Sequence, residues 1–387
     1  MIFTEPGFLF VFAACWAALV VAPRAQRSLV IAVTGIAFYW MYAGAAAMAL
    51  LGGLVAVTLV AAGTVASRLA GVAIVVVLVW FKLAEAGVPA ARSLSGVMGL
   101  VIPLGLSYAS FELLHVIIDR RKGKIRAVAV ADLLAFVFFV PCRIAGPIRR
   151  FPDFTAAVQR AEPSVDNLYQ GVLRILFGLA KKLILADTLA LTGNEISYAQ
   201  TATHAWTIVL AYSFRIFLDF SAYSDIAIGF ARILGITVPE NFAYPYLSTN
   251  IRDFWNRWHM TLSQWVRDYV FMPVGRKLFG TRLRPHPSAI ATLSYLAAFL
   301  VVGAWHGLTG AFLAWGAYHG VLLSGHHLLV SHLPAKVAAS AWYRSRAFGA
   351  ASCAFTFLCV TIGWLPFMTD LPTAGRLFAL MFLGGGR

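Results

Sequence analysis

The apolar stretch AMALLGGLVAVTLVAAGTVA, residues 47–66, decides the fold because it carries no charged side chain along its whole length. A helix that crosses a bilayer needs about 17–25 mostly apolar residues, so this stretch is long enough to span. Comparable apolar runs recur at residues 7–22, 97–118, 129–142, 289–303 and 308–330. In lipid every backbone polar group must be paired internally, which only helices and closed barrels achieve, and these runs lack the alternation of strands. The sequence therefore predicts an all-α, polytopic membrane bundle of about ten spans.

Composition also favours a membrane setting. Only 12% of the 387 residues are charged and the mean hydropathy is +0.78, whereas soluble domains carry about 25% charged residues. The first apolar run lacks a basic leader, and Arg24 and Arg27 follow it, which favours a retained first span over a signal peptide. By the positive-inside rule, the basic loop after this span is cytoplasmic and the N-terminus lies outside.

The net charge of +15 lies mainly in short loops, at residues 119–126, 143–151 and 275–284. Membrane orientation and contact with anionic lipid headgroups explain this pattern. No soluble module with a coherent basic face is present, so nucleic-acid binding is excluded as a function class. The four cysteines are scattered without metal spacing, and we interpret them as packing residues.

The whole chain, residues 1–387, is interpreted as one membrane domain, since no linker and no internal repeat divides it. Residues 1–100 predict plain apolar helices, 101–330 a core with polar side chains, and 331–387 further C-terminal helices. Within that core, VPCRIAGPIRRFPDF (140–154) and VPENFAYPYLSTN (238–250) concentrate proline and turn-forming residues. Non-helical backbone at membrane depth is tolerated only against protein or a water-filled cavity. These stretches therefore predict broken, re-entrant and interfacial helices that enclose a central funnel or tunnel.

Four ionisable side chains lie inside otherwise apolar sequence: Glu112, His115, Asp219 and Asp225. An ionisable group in lipid is costly unless it faces protein or a water-filled cavity. All four are therefore functional candidates by default.

The stretch IRDFWNRWHMTLSQWVRDY, residues 251–269, gathers polar and aromatic side chains. If it is one helix, Asp253 and Arg257 stand at i,i+4 and can pair. On the same assumption Trp255, His259 and Ser263 follow one another at i,i+4, which places the imidazole between an indole and a hydroxyl.

Trp258 and Trp265 would lie seven residues apart on a neighbouring stripe of that helix, which suits an interfacial aromatic belt. One interpretation is therefore an amphipathic helix on the membrane surface. The other is that His259 points into a cavity, and the two interpretations are compatible.

The segment GAWHGLTGAFLAWGAYHG, residues 303–320, places His306 in a region without a charged residue from Ala289 to Lys336. A histidine with a pKa near 6.5 can take and return a proton at physiological pH; the alternative is a structural histidine bonded to a backbone carbonyl. On one continuous helix His319 would lie about 20 Å from His306 and on another face, so the two would not form a local pair. The glycines around both predict close approach of a helix or a ligand.

Other chemistries lack a matching pattern. No histidine pair with an added carboxylate has zinc spacing, and neither a phosphate-binding loop nor a G-x-S-x-G elbow is present. No metal site and no bound cofactor are therefore predicted.

Four segments together resemble the membrane-bound O-acyltransferases, in the bacterial branch of alginate O-acetylation and D-alanyl transfer to teichoic acids. They are FVPCRIAGPIRRFPDF, GLAKKLILAD, FLDFSAYSDIAIGFARILGITVPENFAYPYLSTNIRDFWNRWHMTLSQWVRDYVFMPVG and GAWHGLTGAFLAWGAYHG. The resemblance covers residues 101–320. It implies acyl transfer in a multi-helix fold with a funnel or tunnel, with His306 of the W-H-G motif as the catalytic histidine and His259 of the R-W-H motif as the second active-site residue. His319 also matches the pattern.

Two features depart from the family pattern. Cys142 and Arg143 precede I-A-G-P, where relatives commonly carry other residues. The chain also ends at MFLGGGR, where alginate-type relatives tend to continue, so we expect a missing C-terminal span that concerns partner docking.

No side chain in the sequence has the pattern of an activated serine or cysteine nucleophile, which favours direct acyl transfer over an acyl-enzyme. The following roles are a hypothesis built on the resemblance. His306 is the base for the acceptor hydroxyl and then the acid for the leaving thiolate, while His259 orients it, polarises the acyl carbonyl or holds the acceptor. Trp305 or Asn256 would complete an oxyanion site. The further substrate or tunnel candidates are Arg257, Trp258, Ser263, Asp219, Asp225 and His319.

The partners follow from the same resemblance. The donor is a cytoplasmic thioester, acetyl-coenzyme A or an acyl carrier protein, and the acceptor is an exported polysaccharide, reached through a periplasmic, esterase-like partner transferase. The protein would then lie in the bacterial inner membrane. Transfer of D-alanine to teichoic-acid-like polymers is the alternative within the family. A proton- or ion-coupled transporter is the alternative of another class, which predicts two related halves that the sequence lacks. A lipid acyltransferase that acts on a membrane alcohol is a third possibility.

Overall fold

The computed structural model describes residues 2–61, 63–97, 104–191, 196 and 198–384. In these residues every regular element is a helix. The α-helices are α1 (Pro6–Val21), α2 (Arg27–Val60), α3 (Gly63–Glu85), α4 (Pro89–Val97), α5 (Leu106–Arg121), α6 (Val130–Val137), α7 (Phe151–Gln159), α8 (Val165–Ala180), α9 (Asp187–Ala190), α10 (Ala202–Ile233), α11 (Ile251–Arg257), α12 (Met260–Val266), α13 (Met272–Phe279), α14 (Pro287–His306), α15 (Gly310–Ser331), α16 (Ala335–Ala339), α17 (Arg346–Gly363), α18 (Leu365–Met368) and α19 (Leu371–Leu383). The prediction of an all-α membrane protein is confirmed.

Five segments of the described residues are long and apolar enough to cross a membrane, namely Arg24–Val60, Gly63–Glu85, Ala202–Ile233, Pro287–His306 and Arg346–Met368. Shorter apolar helices, such as α1 and α19, accompany them. The sequence predicted about ten spans. The difference arises because several apolar runs fold into helices too short to span alone, or are divided between two helices.

The run 47–66 is the clearest case of such a division, and its interpretation as one span is wrong. Helix α2 ends at Val60, and α3 begins at Gly63, whose φ of 75° lies in the left-handed region that glycine adopts without strain. Ser67 Oγ donates a hydrogen bond to the Ala61 carbonyl across the turn. Hydrophobicity therefore located membrane sequence correctly and missed the turn within it.

The chain divides into two compact units. The first unit comprises Met1–Leu179 and Ala222–Glu240, and the second comprises Ala180–Ser221 and Asn241–Arg387. The interpretation of the chain as one membrane domain stays a prediction.

In the first unit, two buried arginines surround the carboxylate of Glu112. Arg149 Nη2 donates to Glu112 Oε1, and Arg143 Nη1 lies 3.6 Å from Oε2. The same guanidinium groups donate to backbone carbonyls near the end of α6. Arg143 donates to Val137 and Arg149 to Phe136, and each hydrogen bond is 2.7 Å long. Arg143, one departure from the family pattern, thus ties the carboxylate to a helix end.

His115 on α5 is also engaged within the first unit. Its Nε2 accepts from the Phe151 amide at 2.8 Å, and its Nδ1 lies 3.3 Å from Asp119. Glu112 and His115 were functional candidates by default, yet their contacts join α5 to the segment that starts α7.

Both stretches rich in proline are broken as predicted. Residues 140–150 contain only a 3-10 turn, Val140–Cys142, before α7 begins. Residues 238–250 contain a 3-10 turn at Pro245–Leu247, and Tyr244 before it has a positive φ of 51°. All four cysteines are free thiols, and Cys15 and Cys142 are buried.

Candidate active site

Helices α11 and α12 are separated at Trp258 and His259, so the prediction of one helix over residues 251–269 is wrong. Trp258 is extended, and His259 has φ 42° and ψ 53°, in the left-handed region. After α12 the chain widens into a π-helix, Arg267–Phe271. A residue other than glycine in such a conformation costs about 1–3 kcal/mol and persists only where its surroundings hold it.

Asn241, from the loop after α10, holds this junction. Its carbonyl accepts from the Met260 amide at 2.9 Å, and its side-chain Oδ1 accepts from Thr261 Oγ1 at 2.6 Å. The same Oδ1 lies 3.3 Å from His259 Nδ1. Asn241 is fully buried. The sequence analysis missed this residue, although its place in the proline-rich stretch 238–250 was the available signal.

These contacts fix the chemical form of His259. An amide oxygen only accepts hydrogen bonds, so Nδ1 carries the proton and Nε2 carries a lone pair. Nε2 is buried and has no hydrogen-bond partner among the described residues. Burial, and after it the charge of His306, lower the pKa of His259 to about 3. The ring is therefore neutral at physiological pH, and its Nε2 can accept a hydrogen bond.

His306 ends α14, and the local sequence explains why the helix stops there. Gly307 is extended, with φ −177° and ψ 148°, and a Cβ at this position would lie 2.5 Å from the ring of Phe312. Thr309 then caps α15 by accepting from the Phe312 amide at 3.4 Å. The W-H-G motif thus places an imidazole at a helix C-terminus inside a helical hairpin.

Aromatic rings surround His306. Ring centroids lie at 4.5 Å for Trp305, 4.8 Å for Phe367 and 5.3 Å for Trp315. The imidazole is partly exposed, unlike that of His259. A positive charge on His306 is the second influence, after burial, that lowers the pKa of His259. Phe367 was missed by the sequence analysis, since its segment gave no motif.

His319 belongs to the same aromatic cluster, so its predicted separation from His306 is wrong. The two histidines lie on consecutive helices, and both contact the ring of Trp315, His319 at 5.0 Å and His306 at 5.3 Å. The loop at Gly307 folds α15 back against α14, which a single continuous helix would not allow. Close approach is possible because Gly303 and Gly316 face backbone of the opposite helix, where a Cβ would come within 2.4 Å.

His319 is fully buried, and neither ring nitrogen has a hydrogen-bond partner in the part of the chain that the structure describes. Its ring meets Trp255 at 5.1 Å, edge to face. A Cβ at Gly363 would lie 2.8 Å from its Nε2, so α17 approaches the imidazole closely.

The predicted tunnel candidates have several different environments. Asp253 and Arg257 form the predicted pair, at 3.0 Å. The Trp255–His259–Ser263 ladder is absent, because the break redirects each side chain. Trp258, expected at a membrane interface together with Trp265, is instead buried, as Trp265 is too.

The two aspartates form ion pairs. Asp225 in the first unit lies 3.1 Å from Arg174, which also binds Glu240. Asp219 in the second unit lies 2.7 Å from Lys182. Each of the two carboxylates is thus paired with a cation of its own unit.

The second unit contains a cavity of about 490 Å³. Asn256 and Ser263 line it, and Trp255 separates it from His319, since its ring belongs to both the cavity wall and the aromatic cluster. Asn256 therefore faces this cavity. Among the described residues no three His, Cys, Asp or Glu side chains gather as a group that could hold a metal ion.

The family model of the membrane-bound O-acyltransferases matches residues 35–363. The chain belongs to this family, and with its apolar helices it is a multi-pass membrane protein.

Several curated relatives are similar to this chain. The probable alginate O-acetylase AlgI of Pseudomonas syringae is 33% identical over 80% of this chain and 59% of its own length. The protein of the same description from Azotobacter vinelandii is 32% identical over 100% of this chain and 79% of its own. The teichoic acid D-alanyltransferase of Bacillus subtilis is 36% identical over 54% of this chain and 55% of its own. The chain thus spans less than two thirds of the length of several relatives that it matches.

Proposed function

We propose that this chain is an O-acyltransferase that moves an acetyl group from a cytoplasmic thioester to a hydroxyl of an exported polysaccharide or of a partner transferase. The observation that carries the proposal is the setting of two imidazoles of the second unit, His306 at the end of α14 and His259 at the break between α11 and α12. One is partly exposed at a helix end, and the other is buried with its Nε2 unpaired among the described residues. Membership of an O-acyltransferase family supports the reaction class.

In the proposed reaction His306 takes the proton of the acceptor hydroxyl, whose oxygen attacks the thioester carbonyl. The tetrahedral intermediate then collapses, the C–S bond breaks, and His306 returns the proton to the leaving thiolate. The carbonyls at the C-terminus of α14 carry partial negative charge, which stabilises the imidazolium formed between the two steps. Atoms and protons balance without a covalent acyl-enzyme.

The geometry narrows the role of His259. Three roles were expected: orienting His306, polarising the acyl carbonyl, and holding the acceptor. Polarising a carbonyl requires a donor, yet Nδ1–H is directed to Asn241 and Nε2 offers only a lone pair. His259 is therefore proposed as a hydrogen-bond acceptor, for the acceptor hydroxyl or for an N–H of His306. The indole N–H of Trp305, beside His306, is the better oxyanion donor, since Asn256 lines the cavity instead.

The setting is proposed to be the bacterial inner membrane, with the N-terminus outside. Thioesters of coenzyme A or of an acyl carrier protein supply the acyl group from the cytoplasm, and no bound cofactor is needed. A periplasmic, esterase-like partner would complete delivery to the polymer. Similarity to alginate O-acetylases over most of this chain supports a polysaccharide as the acceptor.

Transfer of D-alanine to a teichoic-acid-like polymer is the second candidate function. The specific observation in its favour is the 36% identity to the Bacillus subtilis D-alanyltransferase, which is confined to 54% of this chain. The two functions share the histidines and differ in donor.

The experiment presents the purified protein in nanodiscs with acetyl-coenzyme A or with a D-alanyl-loaded carrier protein, and follows thiol release with and without polysaccharide. Acetyl-coenzyme A cleavage that requires His306 supports the proposal. Cleavage of the D-alanyl carrier alone supports the second candidate. Ion flux without thiol release from either donor would contradict both and support a transporter.

A further inference from the structure

A dense cluster of positive charge follows the π-helix Arg267–Phe271. We call Arg276, Lys277, Arg282 and Arg284 the basic segment. All four side chains are exposed, and none forms a salt bridge within the described residues. The sequence from 269 to 369 contains no aspartate or glutamate that could neutralise them. Orientation in the membrane explains positive charge here in general, but it does not explain what lies beside the charge.

Beside the basic segment is a crevice of about 340 Å³ between α13 and α14, which we call the α13 groove. This volume is within the range of about 300–1,000 Å³ that is usual for small-molecule sites. The residues that line it are Phe271, Met272, Gly275, Arg276, Phe279, Pro287, Ile290, Ala291 and Ser294. Nearly all are apolar, and the hydroxyl of Ser294 already donates to the Ile290 carbonyl at 2.7 Å. The groove therefore favours a hydrocarbon chain over a polar ligand.

Charge and groove meet at Phe279. Its ring is 53% exposed and lines the groove, and Arg284 Cζ lies over the ring at 5.4 Å. Arg276 is itself a lining residue. A molecule with its chain in the groove would thus have its head among guanidinium groups.

We propose that the α13 groove and the basic segment form a binding site for an anionic phospholipid. One acyl chain lies along the groove, and the phosphate contacts Arg276 and Arg284. Charge complementarity selects an anionic head, because no carboxylate among the described residues forms a salt bridge with the four cations. The apolar lining selects a lipid over a soluble phosphate, which would gain nothing from Met272, Ile290 or Ala291. Phe271 lines both the groove and the cavity of about 490 Å³, but no residue proposed for acyl transfer lines the groove. Failure of the lipid site would therefore leave the acyl-transfer proposal intact.

The test is a titration of this chain in detergent with phosphatidylglycerol and with phosphatidylcholine. Native mass spectrometry measures how much protein carries a bound lipid. Each cation near an anionic surface is worth about 5-fold in affinity. The double variant Arg276→Gln/Arg284→Gln should therefore lose about 25-fold in phosphatidylglycerol affinity. The matched control Arg344→Gln/Arg346→Gln removes two other exposed cations of the same unit and should lose none.

A third variant tests the groove. Ala291→Phe fills it and should weaken both lipids, while circular dichroism and the unfolding temperature show whether the protein still folds. If Ala291→Phe destabilises the protein, Met272→Gln replaces it as a milder change of the lining. Equal affinity for the two lipids, an equal loss in the Arg344/Arg346 control, or unchanged binding in the groove variant would overturn the proposal. Displacement of phosphatidylglycerol by inorganic phosphate or acetyl-coenzyme A would also overturn it, since the site would then serve a soluble phosphate.

Discussion

In the first unit, the buried carboxylate of Glu112 lies between Arg149 and Arg143. In the second unit, by contrast, neither nitrogen of the buried His319 ring has a hydrogen-bond partner among the described residues. Both groups lie in apolar sequence, and by sequence both were candidates for function. The two groups differ in whether their polar atoms are paired. A buried charge that holds helix ends together is explained by folding, but an unpaired imidazole lowers stability and requires another explanation.

His259 extends the comparison. Like His319 it has a nitrogen without a hydrogen-bond partner among the described residues, but its other nitrogen lies beside Asn241, and its backbone conformation is itself costly. Both features lower stability, and such features are common at functional sites. Variants of these residues test whether the paired groups serve stability and the unpaired groups serve the reaction.

The largest effect is expected from His306→Ala. Loss of a general base typically costs about 10²–10⁴-fold, so thiol release from acetyl-coenzyme A should fall by that factor while the unfolding temperature stays unchanged. His332→Ala, which removes an exposed histidine at the end of α15, is the matched control and should retain full activity. A His306→Ala protein as active as this control would rule out His306 as the base.

Glu112→Ala should show the reverse pattern. It leaves two buried guanidinium groups without their carboxylate, and breaking a buried ion pair costs about 3–5 kcal/mol in the free energy of unfolding. Chemical denaturation measures the loss, and the activity per folded molecule should be retained. Glu85→Ala, which breaks an exposed pair with Lys82, is the control and should cost less than about 1 kcal/mol. An equal effect of the two variants would contradict the structural role of Glu112.

The pH dependence of stability tests the burial of His259. Its pKa is lowered to about 3 in the folded protein, against about 6.5 when unfolded. Between these values the unfolded state binds the proton and the folded state does not, so stability falls as pH falls from 6.5 towards 3. This single group contributes about 1.4 kcal/mol per pH unit. His259→Gln should remove that part of the slope, and an unchanged slope would mean that His259 is not buried as a neutral ring.

His319→Phe should have the smallest effect on stability and the most informative one. It replaces a ring whose nitrogens have no hydrogen-bond partner in the part of the chain that the structure describes, so no described group loses a partner. The free energy of unfolding should therefore stay within about 1 kcal/mol of the parent. Activity should nevertheless fall if His319 serves the reaction, and His319→Asn should restore part of it by keeping a polar atom. A loss of stability as large as that of Glu112→Ala would place His319 with the structural groups.

Prediction from sequence succeeded where one physical cause dominates. Apolar composition was sufficient for an all-α membrane protein, and the proline-rich stretches 140–154 and 238–250 were correctly expected to be broken. It failed at single turns. The glycine turn at Gly63 divides a run that reads as one span, and the left-handed residue His259 divides a stretch that reads as one helix. Neither break changes the spacing of apolar residues, so hydrophobic periodicity does not predict it.

The sequence named candidate site residues through their motifs but did not give their contacts. His306 and His259 stand in recognisable motifs, so the sequence pointed to them as candidates. Asn241, which holds His259, carries no motif of its own and became visible only when the loop was placed beside the α11–α12 junction. The proximity of His319 to His306 was missed, because distance along an assumed helix gives no information once a loop folds the chain back.

A double-mutant cycle on His259 and His306 tests most directly whether the two imidazoles handle the proton as one unit. Rates of thiol release are measured for His259→Gln, His306→Ala and the combination, each corrected for its folded fraction. Residues that act as a unit are far from additive, so the double variant should be no slower than His306→Ala alone. A double variant that is slower by the product of the two single losses would contradict the account.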